Sequence, residues 1–321
     1  MNKKKILLTG SAGFVAGNFV RKAFFDKSPY EFVSIDKITN SNLLNNIFIN
    51  KSHQFYMNNI CDSHFIDLIF QYHKFDYLLH YAASTHVDRS IENASDFIQD
   101  NVVGTQVLID ACVKYNVKML LFSTDEVYGA LSSDSDKSWN EESEISPNNP
   151  YAASKAASEL LVKAAGKTHG LDYLITRSSN IYGPRQTADK LIPKVIKCIA
   201  EDKPIPIYGK GMQIRDWTNV IDNAQAVIKI IDNWKTGEIY NISANQEFSN
   251  IEIVQEICNL FGKGHNLITF VSDRKGHDFR YSIDSSKVRK LGWHPSYKIK
   301  GTDGGLVNTI NWYKANQWFI K

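Results

Sequence analysis

Lys4-Lys-Ile-Leu-Leu-Thr9-Gly10-Ser-Ala-Gly13-Phe14-Val-Ala16-Gly17 sets an apolar, β-rich run before a turn of glycines and small residues. An amphipathic run from Asn18 to Asp26 follows. A strand, a glycine turn and a helix in that order make an anion cradle, because glycine lets backbone N–H groups approach a pyrophosphate at the positive end of the helix dipole. Ala16 stands where a third glycine is usual, a change that a close helix–strand contact tolerates. The motif gains weight from Phe32-Val-Ser-Ile-Asp36, a second apolar run ending in an acid where the ribose hydroxyls of a dinucleotide would lie. Asp36 would repel a 2′-phosphate, so the expected cofactor is NAD rather than NADP, although Lys37 beside it carries the opposite charge.

Outward from this unit the β–α rhythm continues. Strands are predicted at Gln54 to Met57, Tyr77 to Tyr81 and Asp172 to Thr176, with an apolar run Met119 to Phe122 between the last two. Helical patterns cover Ser63 to His73, Phe97 to Tyr115 (with Asn101 and Gly104 inside it) and Tyr151 to Ala165. Such regular alternation predicts an α/β protein with a Rossmann-type, doubly wound parallel sheet. After Arg177 the texture changes to proline and glycine punctuation, as in Lys203-Pro-Ile-Pro-Ile-Tyr-Gly209, and Glu238 to Ile242 reads as a strand returning to the sheet. Two interleaved domains are expected: residues 1–180 with 216–243 for the dinucleotide, and 181–215 with 244–321, a smaller α/β unit, for the substrate.

With 321 residues, 43% of them hydrophobic, the chain can bury a large core. The net charge of +3 is too small and too scattered to suggest a nucleic-acid or membrane surface. No apolar stretch approaches the roughly 20 residues of a membrane span, and the run after the first lysines is too short for a signal peptide. Four cysteines, far apart, fit neither a disulfide framework nor a zinc site, and the expected setting is reducing and cytoplasmic. His86 and His277 have no second ligand at helical spacing, so no metal is expected.

The chemistry concentrates at Ser123-Thr124-Asp125-Glu126-Val-Tyr-Gly129, the polar tail of the central apolar run. Parallel α/β folds keep their ligands at such strand ends. Tyr151 and Lys155 lie four apart on one helix face. A phenol with a pKa of about 10 needs a nearby positive charge to act as a base, and Lys155 is placed to supply it.

Together these motifs resemble the extended short-chain dehydrogenase/reductases, and within them the nucleoside-diphosphate-hexose 4,6-dehydratases of the dTDP-glucose type. The resemblance rests on Thr-Gly-x-Ala-Gly-Phe (9 to 14), His-Val-Asp-Arg-Ser (86 to 90), Ser-Thr-Asp-Glu-Val-Tyr-Gly (123 to 129), Tyr-x-x-x-Lys (151 to 155), Lys-Leu-Ile-Pro (190 to 193), Pro-Ile-Tyr-Gly (206 to 209), Gln-Ile-Arg-Asp-Trp (213 to 217) and Gly-His-Asp (276 to 278). It implies that Gly10, Gly13, Phe14, Asp36, Asn59, Ile60, Ala82, Asn101, Tyr151 and Lys155 hold the cofactor. Around the sugar nucleotide it implies Ser84, His86, Asn180, Lys190, Leu191 and His277, with Pro206 and Tyr208 against the base and Arg215, Asn250 and Arg274 toward the diphosphate. The plainer reading of Arg215 and Arg274 is an ion pair with Asp216 or a distant acid. Asn59 stands where the family often has aspartate, and Ser84-Thr85 replaces its usual Glu-Ser or Gln-Thr beside the sugar.

The implied reaction starts with Tyr151 taking the proton from the sugar O4 while C4 passes hydride to the nicotinamide, Thr124 holding O4. Glu126 then removes the C5 proton, a protonated Asp125 donates to the departing O6, and hydride returns to C6. The product is a 4-keto-6-deoxy sugar nucleotide of UDP or dTDP. Related possibilities are a UDP-N-acetylglucosamine dehydratase, with or without inversion at C5, and a nucleotide-sugar 4-epimerase. A dinucleotide sensor is disfavoured by Tyr151, Lys155 and Thr124, and an epimerase by Asp125. A homodimer is expected.

Overall fold

Successive side chains of β1 (Lys4–Thr9) point to opposite faces, so of its contiguous apolar residues Leu7 is buried in one core and Ile6 and Leu8 in another. The structure, a computed structural model, describes residues 3–39, 41–48, 53–132, 135–274, 276–301 and 304–320. The chain then adds β2 (Tyr30–Asp36), β3 (His53–Met57), β4 (Tyr77–His80), β5 (Lys118–Thr124) and β6 (Tyr173–Ser178). It then forms β7 (Asn180–Tyr182), β8 (Ile205–Tyr208) and β9 (Ile214–Asn219), followed by β10 (Ile239–Ile242), β11 (Glu247–Ser249) and β12 (Ile268–Val271). Seven strands make one parallel sheet in the order β10-β6-β5-β4-β1-β2-β3. The order reverses beside β1, between β4 and β2, which opens the ligand crevice of such folds.

Helices Ser63–His73, Gly104–Tyr115 and Pro150–His169 cover one face through Ile66, Leu108 and Val162. Helices Phe14–Phe25 and Val220–Asp232 cover the other through Phe19, Val20, Val227 and Ile230. A third core lies outside the main sheet, where helices Leu191–Ala200, Asn250–Leu260 and Gly305–Ala315 pack on β8 and β9. The chain thus leaves the main sheet after β6 and returns through Val220–Asp232 and β10, as the pattern at Glu238 to Ile242 predicted.

Two helices differ from their sequence patterns. The first begins at Phe14 rather than Asn18, because Gly13 takes an extended cap conformation and the small and apolar residues 14–17 show no polar face. The run Phe97 to Tyr115 is interrupted by a π turn, Ile98–Val103, before the helix resumes at Gly104. Within that turn the Asn101 carbonyl accepts hydrogen bonds from the hydroxyls of Thr105 (2.5 Å) and Ser158 (2.6 Å), which compensate for the disturbed helical ladder. A Cβ at Gly104 would lie 2.5 Å from the Ile60 side chain, which would have to shift to admit it.

The helix Pro150–His169 is fixed to the sheet by a fully buried ion pair, Arg177 Nη2 to Glu159 Oε2 at 2.6 Å, with the guanidinium 4.6 Å from the Tyr128 ring centroid. Removing either partner would leave an uncompensated buried charge, at a cost of about 3–5 kcal/mol. Among the described residues no helix is long and apolar enough to cross a membrane, and no group of three or more His, Cys, Asp or Glu side chains is arranged to hold a metal. All four cysteines are free thiols.

Candidate active site

Because the strands are parallel and in register, the C-terminal ends of β1, β2, β4 and β5 deliver Gly10, Asp36, Ala82 and Thr124 to one edge of the sheet. Gly10 has φ +68°, and a Cβ on it would sit 2.7 Å from the backbone N and Cα of Ala82. No side chain fits there, so the turn keeps its N–H groups open to a ligand. Asp36 accepts the Ala12 N–H (3.0 Å) and the Ile38 N–H (2.8 Å), tying the acid to the glycine turn. Each of its oxygens retains accepting capacity for a ribose hydroxyl. Burial raises the pKa of this carboxyl. The Asn59 side-chain oxygen accepts the Cys61 N–H (3.0 Å), and Ile60 is buried against Gly104. A cradle closed to any Cβ, with an acid at its rim, fits the pyrophosphate and ribose of a dinucleotide.

Asn101, expected at the cofactor, has both amide N–H donors occupied by protein, one on the Ser84 carbonyl (3.0 Å) and one on Ser154 Oγ (2.8 Å). Its oxygen accepts the Ser84 N–H at 2.8 Å. Asn101 therefore staples the loop after β4 to the helix that carries Tyr151. The Ser84 hydroxyl donates to Asp100 at 2.6 Å, and Asp100 also receives Lys37 Nζ at 2.6 Å.

Sequence reasoning missed His80, at the buried end of β4. Its Nδ1 lies 2.8 Å from Thr9 Oγ1 and its Nε2 2.9 Å from Thr105 Oγ1. Thr105 donates to the Asn101 carbonyl and Thr9 accepts the Ala82 N–H, so the ring must accept from Thr9 and donate to Thr105. Burial and the Lys155 charge lower its pKa to about 3, and this neutral imidazole links β1, β4 and the π turn.

β5 ends at Thr124, whose Oγ1 caps the following turn by accepting the Glu126 N–H (3.3 Å) and donates to Asp125 Oδ1 (3.3 Å). Asp125 is 2% exposed, and its other carboxyl oxygen has no partner within the protein. Burial, with the Glu126 charge next, pushes its pKa well above the ordinary value. Glu126 is half-buried and accepts a hydrogen bond from Asn149 Nδ2 (3.1 Å). Burial raises its pKa as well, while Asn149 and the charges of Arg215 and Lys190 act in the opposite direction. Asn149 has a second task, capping the Tyr151 helix by accepting the Ala152 N–H (2.9 Å), and Asn before Pro150 was the signal that could have found it.

Tyr151 is buried, its backbone N–H donating to Ser90 Oγ (3.2 Å). Burial and the Glu126 charge push its phenol upward, and its hydrogen bond to Thr124 acts the other way. Lys155 lies on the same helix, but its ammonium donates to the Phe122 carbonyl at 2.7 Å, and burial lowers its pKa to about 8.

From the smaller unit, β9 delivers the buried Arg215 toward the two carboxyls. Its guanidinium donates to the carbonyls of Ile214, Asp278 and Phe279 (2.8–3.2 Å) and stacks 4.5 Å from the Tyr281 ring centroid. The ion pair with Asp216 does not form, because Asp216 is held by the Ser179 hydroxyl and the Gln246 N–H. Arg274 pairs with Asp88, Nε to Oδ1 at 2.5 Å, across the crevice, and Tyr208 donates to the same carboxylate at 3.3 Å. His277 is 2.6 Å from Asp273, Lys190 donates to the Thr85 carbonyl (3.1 Å), and His86 caps the helix Val87–Glu92. Asn180 opens β7, Leu191 and Asn250 begin helices, and Pro206 lies in β8.

Residues 7–302 match the family model for GDP-mannose 4,6 dehydratase. A dTDP-glucose 4,6-dehydratase of Haemophilus influenzae is 42% identical, over 97% of this chain and 98% of its own length. A solved dTDP-glucose 4,6-dehydratase of Streptomyces venezuelae with NAD bound superposes with a TM-score of 0.92 at 36% identity, covering 99% of both chains. The Bacillus anthracis dTDP-glucose 4,6-dehydratase, in complex with NAD, gives a TM-score of 0.90 at 34% identity, over 99% of this chain and 98% of its own.

Proposed function

The chain belongs to the nucleotide-sugar 4,6-dehydratase family, and we propose that it is a hydro-lyase converting dTDP-glucose to its 4-keto-6-deoxy derivative with bound NAD. The observation that carries this reading is the adjacent Asp125 and Glu126, one buried with an unpartnered oxygen and the other held by Asn149, at the strand end that also presents Thr124 to Tyr151. The glycine turn and Asp36 would hold NAD, which when bound would supply the acceptor for hydride from C4 of the sugar and its donor to C6.

Thr124 and Tyr151 engage the O4 hydroxyl, and Tyr151 receives its proton as a phenolate, the form that Lys155 on the same helix is assigned to favour against the burial that raises the phenol. Oxidation at C4 acidifies C5. Glu126, kept closer to its ionised form by Asn149, Arg215 and Lys190, removes the C5 proton. Asp125, kept protonated by burial, donates to O6 as water leaves. Arg215, Asn250 and Arg274 serve the diphosphate, and Pro206 and Tyr208 the base, with Ser84, His86, Asn180, Lys190, Leu191 and His277 around the rest of the sugar nucleotide. The enzyme works as a homodimer in the cytoplasm. The exposed Ile98 and Val103 of the π turn, with Ile91 and Leu160 on the helices Val87–Glu92 and Pro150–His169, support self-association.

The test is mass spectrometry after incubation with dTDP-glucose, UDP-glucose and UDP-N-acetylglucosamine in turn. Loss of one water from dTDP-glucose, with a product absorbing in alkali, is expected. An isomer of unchanged mass would replace this reading with epimerisation.

A further inference from the structure

We propose that Asp100 keeps Lys37 from serving a 2′-phosphate, so that the preference for NAD is set by Asp36 and Asp100 together; this rests on the dinucleotide reading above. In Rossmann folds an acid at the end of the second strand takes the ribose hydroxyls, and a basic side chain nearby accommodates the phosphate of NADP. Lys37 is such a base, next in the chain to Asp36. By charge alone it would offset the discrimination that Asp36 imposes.

Lys37 is not left to do so. Its Nζ lies 2.6 Å from both carboxylate oxygens of Asp100, in the π turn after the fourth strand. Asp100 is itself fixed, because Ser84 Oγ donates to it at 2.6 Å and the neighbouring Asn101 holds the Ser84 backbone at both N–H and C=O. The Asp100 side chain is 13% exposed against 39% for Lys37, so the lysine comes to a carboxylate already anchored. Cys61, in the loop after β3, donates its thiol to the Gln99 carbonyl (3.3 Å), which brings that loop and the π turn together at the adenosine end of the cradle. The charges of Asp100 and Lys37 both reach this thiol, in opposite senses. The small Ser84 thus has a task distinct from shaping the sugar pocket.

The experiment is competitive loading of the full-length protein with equal excesses of NAD and NADP, followed by release and chromatographic quantification of the bound nucleotides. Asp100→Asn preserves shape and can still accept from Ser84, while Lys37 loses its counter-charge. The NADP share relative to NAD should rise about tenfold, the scale of one charge-assisted hydrogen bond to phosphate. Lys37→Ala in the otherwise native chain should change the ratio by less than about twofold, and in the Asp100→Asn background it should abolish the gain. The proposal is overturned if Asp100→Asn leaves the ratio unchanged. It is overturned equally if Lys37→Ala alone lowers the NADP share about tenfold, a result that needs no Asp100 variant. Native protein that loads neither nucleotide would overturn the dinucleotide reading itself, an outcome distinct from native protein that loads NAD while Asp100→Asn gains no NADP.

Discussion

Replacing Asp125 by asparagine separates the chemistry of elimination from the stability of the site. The side chain is buried, one oxygen accepts from Thr124 at 3.3 Å and the other has no protein partner. Asparagine has the same shape and can keep the Thr124 bond, so folding, NAD binding and oxidation at C4 should persist. What disappears is the proton for the leaving oxygen, and loss of general acid help costs about 10²–10⁴ in rate, or ~3–5 kcal/mol of barrier. Reduced nicotinamide should therefore accumulate on mixing with dTDP-glucose, seen as absorbance by stopped flow. Stability should move the opposite way. The folded pKa of Asp125 is raised above its unfolded value near 3.8, so the native state holds a proton that the unfolded state releases. The stability of the native protein is fully present below that value and declines as pH rises toward the folded pKa. The variant lacks this decline, and its Tm relative to wild type should climb with pH from about 4 upward. A variant that releases water at the wild-type rate, or a Tm difference flat in pH, would refute the assignment of a protonated, buried acid.

His80→Gln should leave the hydroxyls of Thr9 and Thr105 poorly partnered and lower stability by about 1–3 kcal/mol in urea titration. Since the folded pKa of His80 is depressed to about 3, native stability is present above pH 6.5 and is lost as pH falls toward 3, and the variant should lose that part of the acid sensitivity. Gly10→Ala forces a left-handed backbone on a residue with a Cβ 2.7 Å from Ala82, so bound NAD should fall below detection in protein that keeps its far-ultraviolet circular dichroism. Retention of stoichiometric NAD would contradict the cradle.

The parallel sheet was legible because each strand is a short apolar run whose acid or small polar residue falls at one end, as at Asp36 and Thr124. The strings to which catalysis is assigned stood out in the sequence because Thr124 to Glu126 and Tyr151 to Lys155 are each contiguous or one helical turn apart. What escaped was whatever depends on contact across the sequence. His80 sits in an unremarkable apolar run, and only the register of β4 on β1 sets it against Thr9. Lys37 and Asp100 are 63 residues apart, and no pattern within either segment announces their pairing. The π turn hid inside a clean helical pattern, and the hydroxyls that satisfy its Asn101 carbonyl come from Thr105 and Ser158, one of them on another helix.

The two carboxyls at the head of the β5 turn are adjacent in sequence yet are pushed toward different roles by unequal surroundings. Both pKa values are raised by burial, so burial alone would leave neither residue suited to remove a proton. The difference comes from neighbours. Glu126 has the Asn149 amide, from the cap of the Tyr151 helix, and the charges of Arg215 and Lys190 from the smaller unit. Asp125 has the opposing charges of Glu126 and Asp216 and a bare oxygen, with Arg215 offsetting only part of this. Arg215 acts on both carboxyls while three of its five N–H donors are held by carbonyls of β9 and of the segment 278–279, so it is fixed as a charge rather than consumed as an ion-pair partner. The main sheet supplies the two acids, but the guanidinium that biases them comes from β9. On the proposed assignment, an acid and a base coexist at this strand end only when both parts of the fold are assembled around it.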